Sequence, residues 1–128
     1  MSVKEVWCLF SSKIIKDVSY LADINNVKND VRRKCIETFG NRISRIILFG
    51  SYARGDFEED SDIDIMVLVN CHKDELSSFR EKASVIGSDV SLDNSVTVSL
   101  LVRDSDTFYG KIGFTPFYQN IEKEGVDI

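Results

Sequence analysis

Two aspartates, Asp62 and Asp64, begin an otherwise apolar stretch, and their type and spacing suit the binding of metal ions. Strand residues separated by one position project from the same face, with Cα atoms about 6.6 Å apart. Two carboxylates at this spacing can hold one or two divalent cations, and oxygen ligands favour Mg²⁺ or Mn²⁺ over zinc. The alternative is a solvated pair on an exposed sheet face. Aspartate is a poor strand former, however, so two of them at the start of a strand indicate a function.

The step Gly50–Ser51 ends a run of branched apolar residues and precedes the aspartate pair by ten residues. Glycine has no Cβ, so the backbone can approach a ligand closely, and Ser51 adds a hydroxyl. This combination suits phosphate oxygens at the start of a short helix. Taken alone, the dipeptide is more often a simple tight turn.

The three cysteines, Cys8, Cys35 and Cys71, are widely spaced and form no Cys-x-x-Cys pair. An odd number without a metal or redox spacing is typical of reduced thiols, so we expect a cytoplasmic protein. A catalytic pair of Cys71 with the single histidine, His72, is a weak alternative. Sequence neighbours on a strand or at its exit point apart.

Composition limits the partners of the chain and predicts a single domain. The 128 residues include 43% hydrophobic and 29% charged side chains, which is typical of one globular domain spanning residues 1–128. The net charge of −5 opposes sequence-independent binding to nucleic acid. The longest apolar run is too short to span a bilayer, and the N-terminus shows no secretory signal. We therefore expect neither nucleic acid nor membrane as a partner.

Hydrophobic periodicity predicts the elements that must position these residues. An amphipathic helix from Val3 ends before 23–26, so residues 1–26 are expected to form an N-terminal helix and 27–128 the core. Later segments alternate between helical and strand patterns, and Asp104 and Pro116 are candidates to begin two further helical segments. The expected helices are 27–39, 74–86, 104–108 and 116–124, and the expected strands are 43–49, 62–69 and 95–102. This order predicts an α/β (α+β) fold with a small mixed sheet flanked by helices.

Gly50-Ser51, ten intervening residues and Asp62-Ile63-Asp64 together resemble the signature of the DNA polymerase beta-like nucleotidyltransferases. The match is most similar to the minimal nucleotidyltransferase group related to kanamycin nucleotidyltransferase. Phe49 to Gly55 and the tail Pro116 to Gly125 look like segments found in small members of that group. The resemblance covers residues from about Val27 to the end of the chain.

The resemblance implies transfer of a nucleoside monophosphate from a nucleoside triphosphate, with ATP as the expected donor, to an acceptor hydroxyl. In such enzymes Gly50 and Ser51 would hold the triphosphate, and Asp62 and Asp64 would hold two Mg²⁺ ions. Arg54 would neutralise a phosphate oxygen. Its alternative role is an exposed ion pair with the acidic loop at 58–59.

One feature departs from the family pattern, in which a third carboxylate lies on the neighbouring strand. The corresponding stretch, Val96 to Val102, contains no acid. Ser99 lies centrally enough to occupy that position, and Asp93 and Asp104 lie at its two ends. We expect a missing acid to impair activation of the acceptor more than nucleotide binding.

Two functions therefore compete. The first is a Mg²⁺-dependent nucleotidyltransferase whose acceptor lies on another chain, because little of this chain remains to build a second wall. The resemblance implies a helical HEPN-type toxin as that partner, and a homodimer is the alternative. The second function is a catalytically weak relative that works as an antitoxin or regulatory binding module. A segment rich in aromatic residues offers either a core cap or an interface: Phe108, Tyr109, Phe114 and Phe117.

Overall fold

A four-stranded mixed sheet forms the centre of the part of the chain that the structure, a computed structural model, describes. That part covers residues 14–128, with side chains from residue 24 onward. The sheet has the order β3-β2-β1-β4, and its strands are β1 (Ile43–Phe49), β2 (Ile63–Val69), β3 (Val98–Asp104) and β4 (Val126–Asp127). β1 pairs antiparallel with β2 and β4, whereas β2 and β3 are parallel. The predicted fold class is confirmed, and the two-residue β4 is an addition to it.

Within residues 14–128, five α-helices and three short 3₁₀ turns connect or cover the strands. The helices are α1 (Ile14–Phe39), α2 (Ser51–Arg54), α3 (Leu76–Asn94), α4 (Ser105–Lys111) and α5 (Pro116–Glu124). The 3₁₀ turns are Gly40–Arg42, Lys73–Glu75 and Ile112–Phe114. Among the described residues, no helix combines the length and the apolar character needed to cross a membrane.

The two faces of the sheet pack against different helices. On the first face, alternate residues of β2 such as Ile65 and Val67 are fully buried in a core shared with α1 and α3. On the second face, Met66 and Leu68 pack with Phe108 of α4 and with residues of α5. The side chain of Asp64 points to the same face as that of Met66, because side chains alternate along a strand and the two residues are two positions apart. Asp64 therefore opens onto the second face, next to the C-terminal helices.

The expected helix break at 23–26 is wrong, because α1 runs without interruption from Ile14 to Phe39. Ile24 within this stretch and Val27 directly after it are both buried in the same core. Burial of this stripe outweighs the low helix propensity of aspartate and asparagine at the expected break. The predicted start of the N-terminal helix at Val3, like Cys8, lies outside the described residues.

Helix α3 extends eight residues beyond the predicted end at Ile86. The extension contains Gly87, which lies against Leu100 of β3, where an added Cβ would be 3.5 Å from the Leu100 Cβ. Ser95, with φ of 53°, ends the helix in the left-handed conformation. The next strand consequently begins at Val98 rather than at the expected residue 95.

β3 forms one edge of the sheet, and side chains cover part of that edge. The carbonyl of Thr97 accepts a hydrogen bond from the N–H of Ile63 in β2. Because backbone groups alternate in direction along a strand, the N–H and C=O groups of Val98, Leu100 and Val102 point away from β2, toward the open edge. The N–H of Val98 donates to Ser91 Oγ at 3.0 Å. The carbonyl of Val102 accepts from Arg103 Nη1 at 2.8 Å. Leu100 lies between these two positions, and neither Ser91 nor Arg103 covers its backbone groups.

Candidate active site

Asp62 and Asp64 lie at the start of β2 and share one side of the sheet. Asp64 is the second residue of the strand and is half-buried, whereas Asp62 directly precedes the strand and is exposed. Burial and the neighbouring Asp62 charge raise the pKa of Asp64, and the Arg54 charge acts in the opposite direction. The carboxylates are therefore close enough to repel each other, as expected for two ligands of one cation site.

Gly50 packs directly against Asp64. It connects β1 to α2 with φ of 74° and ψ of −155°, a conformation that is essentially restricted to glycine. A Cβ at this position would also collide with Asp64 Oδ2. Its carbonyl accepts hydrogen bonds from the N–H groups of Ala53 and Arg54 in α2. The glycine is thus required for backbone conformation and for the close approach of the loop to the acidic pair.

A cavity of 550 Å³ lies between this loop and α5. One wall holds the predicted residues Gly50, Ser51, Arg54 and Asp64. The other wall consists of one face of α5, with residues spaced three, four and seven positions from the first: Phe117, Asn120, Ile121 and Glu124. This wall was not predicted from the sequence. The helical spacing was visible, but nothing local in the sequence indicated that α5 would face the loop.

Arg54 is held by two carboxylates, one of which belongs to the α5 wall of the cavity. Its Nε donates to Asp56 Oδ2 at 3.2 Å, and its Nη1 donates to Glu124 Oε2 at 3.5 Å. The acidic partners differ from the predicted loop positions 58–59. Exposed ion pairs of this kind are weak, so a phosphate group entering the cavity can compete for the guanidinium.

Ser99 is the neighbour of Asp64 on β3. The parallel register pairs Asp64 with Ser99, so the serine lies beside the acidic pair on the same face. Asp104 was the other candidate for this position, but it lies at the far end of β3. Asp104 pairs with Val69 of β2. Along β3 it lies five residues, or about 16 Å, from Ser99. Its carboxylate accepts the N–H of Thr107 instead. Asp93 forms an ion pair with Lys34 of α1.

The acidic pair fits a magnesium–nucleotide complex better than an all-protein metal cage. Across residues 24–128, no three His, Cys, Asp or Glu side chains are grouped as a metal site. Mg²⁺ in nucleotide sites is commonly held by one or two carboxylates together with substrate phosphates and water. Asp62 and Asp64 supply this minimal set.

The weak alternative of a cysteine nucleophile finds no support. Burial raises the pKa of the Cys71 thiol, and the nearby charges of Asp104 and Glu75 add to the shift. A thiolate is therefore disfavoured at this position. The adjacent His72 is exposed, and its backbone N–H donates to Glu75 Oε1 at 3.1 Å.

The nucleotidyltransferase domain profile matches residues 28–128, and the chain therefore belongs to this family. Two relatives come from Methanocaldococcus jannaschii. A candidate protein adenylyltransferase, MJ0141, is 36% identical over 69% of this chain and 81% of its own length. A second, MJ0604, is 36% identical over 68% of this chain and 79% of its own length.

Solved structures of nucleotidyltransferases share the fold. A candidate minimal nucleotidyltransferase superposes with a TM-score of 0.57 and 20% identity, covering 84% of this chain and 95% of its own. A toxin–antitoxin complex with AMP-PNP gives a TM-score of 0.54 and 20% identity, covering 77% of this chain and 69% of that chain. The resemblance noted from the sequence is thus confirmed at the level of family and fold.

Proposed function

We propose that this chain transfers a nucleoside monophosphate from Mg²⁺-bound ATP to a hydroxyl group on a partner protein. The observation that carries the proposal is the cavity that Gly50, Ser51, Arg54 and Asp64 line together. Membership of the nucleotidyltransferase domain family and the adenylyltransferase names of MJ0141 and MJ0604 support it. The AMP-PNP in a structural neighbour favours ATP as the donor.

The loop residues and the acidic pair have separate roles in this reaction. Gly50 lets the loop approach the triphosphate, and the Ser51 hydroxyl donates to a phosphate oxygen. Arg54 exchanges Glu124 for a phosphate and neutralises part of its charge. Asp62 and Asp64 would hold Mg²⁺, which when bound neutralises phosphate charge and lowers the pKa of the acceptor hydroxyl.

In the transfer step, the acceptor oxygen forms a bond to the α-phosphorus while the bond from that phosphorus to the pyrophosphate oxygen breaks. The bonding pair leaves with pyrophosphate, and the hydroxyl proton passes to solvent. These residues position the reactants and balance charge, and no covalent enzyme intermediate is needed.

The acceptor would approach from the β3 side of the acidic pair. Ser99 and Leu101 are only half-buried on that face, whereas α4 and α5 cover the neighbouring part of the sheet. The aromatic segment divides between two roles. Phe108 is fully buried and belongs to the core, but Tyr109, Phe114 and Phe117 are exposed. Tyr109 and Phe114 therefore remain available to contact a partner chain.

A second candidate function rests on the serine at position 99. Without a third carboxylate beside Asp64, acceptor activation would be weak while nucleotide binding persists. Such a chain would act as an antitoxin or regulatory module for a helical HEPN-type partner. The toxin–antitoxin complexes among the structural neighbours are consistent with this role.

Label transfer distinguishes these functions. The protein is incubated with Mg²⁺ and ATP labelled on the α-phosphate, alone and with the product of the adjoining gene. We expect label from the α-phosphate to appear on the partner protein. ATP labelled on the γ-phosphate should leave the partner unlabelled. The double variant Asp62→Asn with Asp64→Asn should transfer no label. A stable complex without transfer supports the regulatory role. Efficient labelling of a free small molecule by a monomer contradicts the proposal of a protein acceptor. Label on this chain itself, in a dimer of two copies, supports the homodimer.

A further inference from the structure

The α5 wall of the cavity has a polar end and an aromatic end. Glu124 contacts Arg54 and so marks the end where the triphosphate would bind. Phe117 lies seven residues earlier on the same helix face, about 10 Å away along the axis. This arrangement leaves the aromatic end of the cavity for the part of a nucleotide that is most distant from its phosphates.

Phe117 is exposed to an extent that core packing does not require. Its neighbours Tyr118 and Ile121 are buried and pack on the sheet, whereas the Phe117 side chain is 43% exposed. An edge-on contact with Phe49, with ring centroids 5.8 Å apart, fixes the ring at the cavity wall. A fixed, partly open aromatic ring provides a stacking surface for a nucleobase.

Asn120 lies one helical turn beyond Phe117 and lines the same cavity. Its amide has no hydrogen-bond partner within residues 24–128. An amide presents a donor beside an acceptor, which matches the N6 amino group and N7 of adenine. Guanine presents two acceptors, O6 and N7, at the corresponding edge, so one half of the Asn120 amide would remain unpaired.

We propose that Phe117 and Asn120 form the nucleobase subsite of this cavity and that Asn120 makes it selective for adenine over guanine. The inference rests on the proposed nucleotidyltransferase function. Phe117 supplies stacking to any base, whereas Asn120 reads the purine edge. Ile121 forms the apolar floor between them and the phosphate end.

The test compares three probes with Mg²⁺ by calorimetry: AMP-PNP, GMP-PNP and inorganic tripolyphosphate. Phe117→Leu is expected to weaken both nucleotides about tenfold and to leave tripolyphosphate unchanged. Asn120→Leu is expected to reduce the ratio of the affinities for AMP-PNP and GMP-PNP about tenfold. The matched controls are Phe114→Leu and Gln119→Leu, which are exposed nearby and do not line the cavity. Melting temperatures confirm that each variant is folded.

The outcomes separate this inference from the proposed function. If the wild type binds tripolyphosphate and both nucleotides equally, and the variants change nothing, the subsite is refuted while the phosphate site stands. If a variant weakens tripolyphosphate by the same factor as AMP-PNP, its effect is general and the subsite is also refuted. If the wild type binds none of the three probes, the cavity is not a nucleotide site and both proposals fail.

Discussion

At the scale of single residues, Asp62 and Asp64 place two negative charges where a metal-free fold gains nothing from them. The pKa of Asp64 is raised by burial and by Asp62, so ionisation of Asp64 opposes folding. Stability contributed by the protonated form is therefore lost as the pH rises from about 3.8 through the raised pKa.

The first prediction follows from this repulsion. Asp64→Asn should raise the melting temperature at pH 7 by about 2–5 °C, because it removes a partly buried charge beside another carboxylate. Thermal unfolding in chelator measures the effect, and Asp60→Asn in the exposed loop serves as the matched control. A lower melting temperature would show that the Asp64 carboxylate stabilises the fold.

The second prediction concerns the residue beside Asp64. Ser99→Asp should increase Mg²⁺ affinity or nucleotidyl transfer roughly tenfold, because it adds a carboxylate next to Asp64. Ser99→Asn is the uncharged control of similar size. Calorimetric titration with Mg²⁺ and AMP-PNP and the label-transfer assay provide the two readouts. Equal behaviour of the two variants would remove position 99 from the metal site.

The loop side of the cavity could be predicted because its signals are local. Gly50, Ser51 and the two aspartates lie within fifteen residues, and strand alternation alone places both acids on one side. The α5 side could not be predicted in this way. Phe117 and Asn120 reach the cavity through packing of α5 on β1 and β2, between residues more than fifty positions apart.

At the scale of elements, helix caps were readable from the sequence, but the lengths of α1 and α3 were not. Asp104 and Pro116 begin α4 and α5 as predicted, because a cap depends on one side chain and its nearest backbone. The uninterrupted α1 and the long α3 depend on tertiary burial of Ile24 and Val90 instead. Periodicity in a short window does not contain that information.

The third prediction is made for the cap of α4. Asp104 is 5% exposed and accepts the N–H of Thr107 at 2.9 Å, so Asp104→Ala should cost about 1 kcal/mol of unfolding free energy at pH 7. Burial opposes ionisation of Asp104, but the Thr107 hydrogen bonds outweigh it and lower the pKa. The contribution is therefore present above about pH 3.8 and lost as the pH falls through the lowered pKa.

Urea denaturation at pH 7 and at pH 2.5 measures both effects of the cap. Asp106→Ala is the control, because Asp106 lies in the same first turn but is exposed and does not cap the helix. The difference between the Asp104 variant and the wild type should shrink at the lower pH. A difference that does not depend on pH would argue against an ionised cap.

At the scale of the whole molecule, Arg45 joins the C-terminal segment to the sheet. From β1 it donates to Tyr109 of α4 at 3.0 Å, Glu122 of α5 at 2.8 Å and Asp127 of β4 at 2.9 Å. One side chain thereby connects three C-terminal elements to the strand that leads into the active-site loop. Charged networks of this kind contribute more than an isolated surface pair.

The fourth prediction is that Arg45→Met loosens the α5 wall. We expect faster hydrogen exchange in α5 and weaker AMP-PNP binding, with a loss of about 1 kcal/mol in unfolding free energy. Arg33→Met is the matched control, because the ion pairs that Arg33 forms within residues 24–128 run along α1, to Asp30 and Glu37. Unchanged exchange in α5 would show that apolar packing alone holds the helix.

The covered edge of β3 has a consequence for the protein in a crowded solution. An open strand edge is a template on which other chains add strands and aggregate. Along this edge Ser91 occupies the Val98 N–H and Arg103 occupies the Val102 carbonyl, so an incoming strand would have to displace two side chains to form a continuous ladder. Addition of a foreign strand is thereby opposed at both ends of the strand that also carries Ser99.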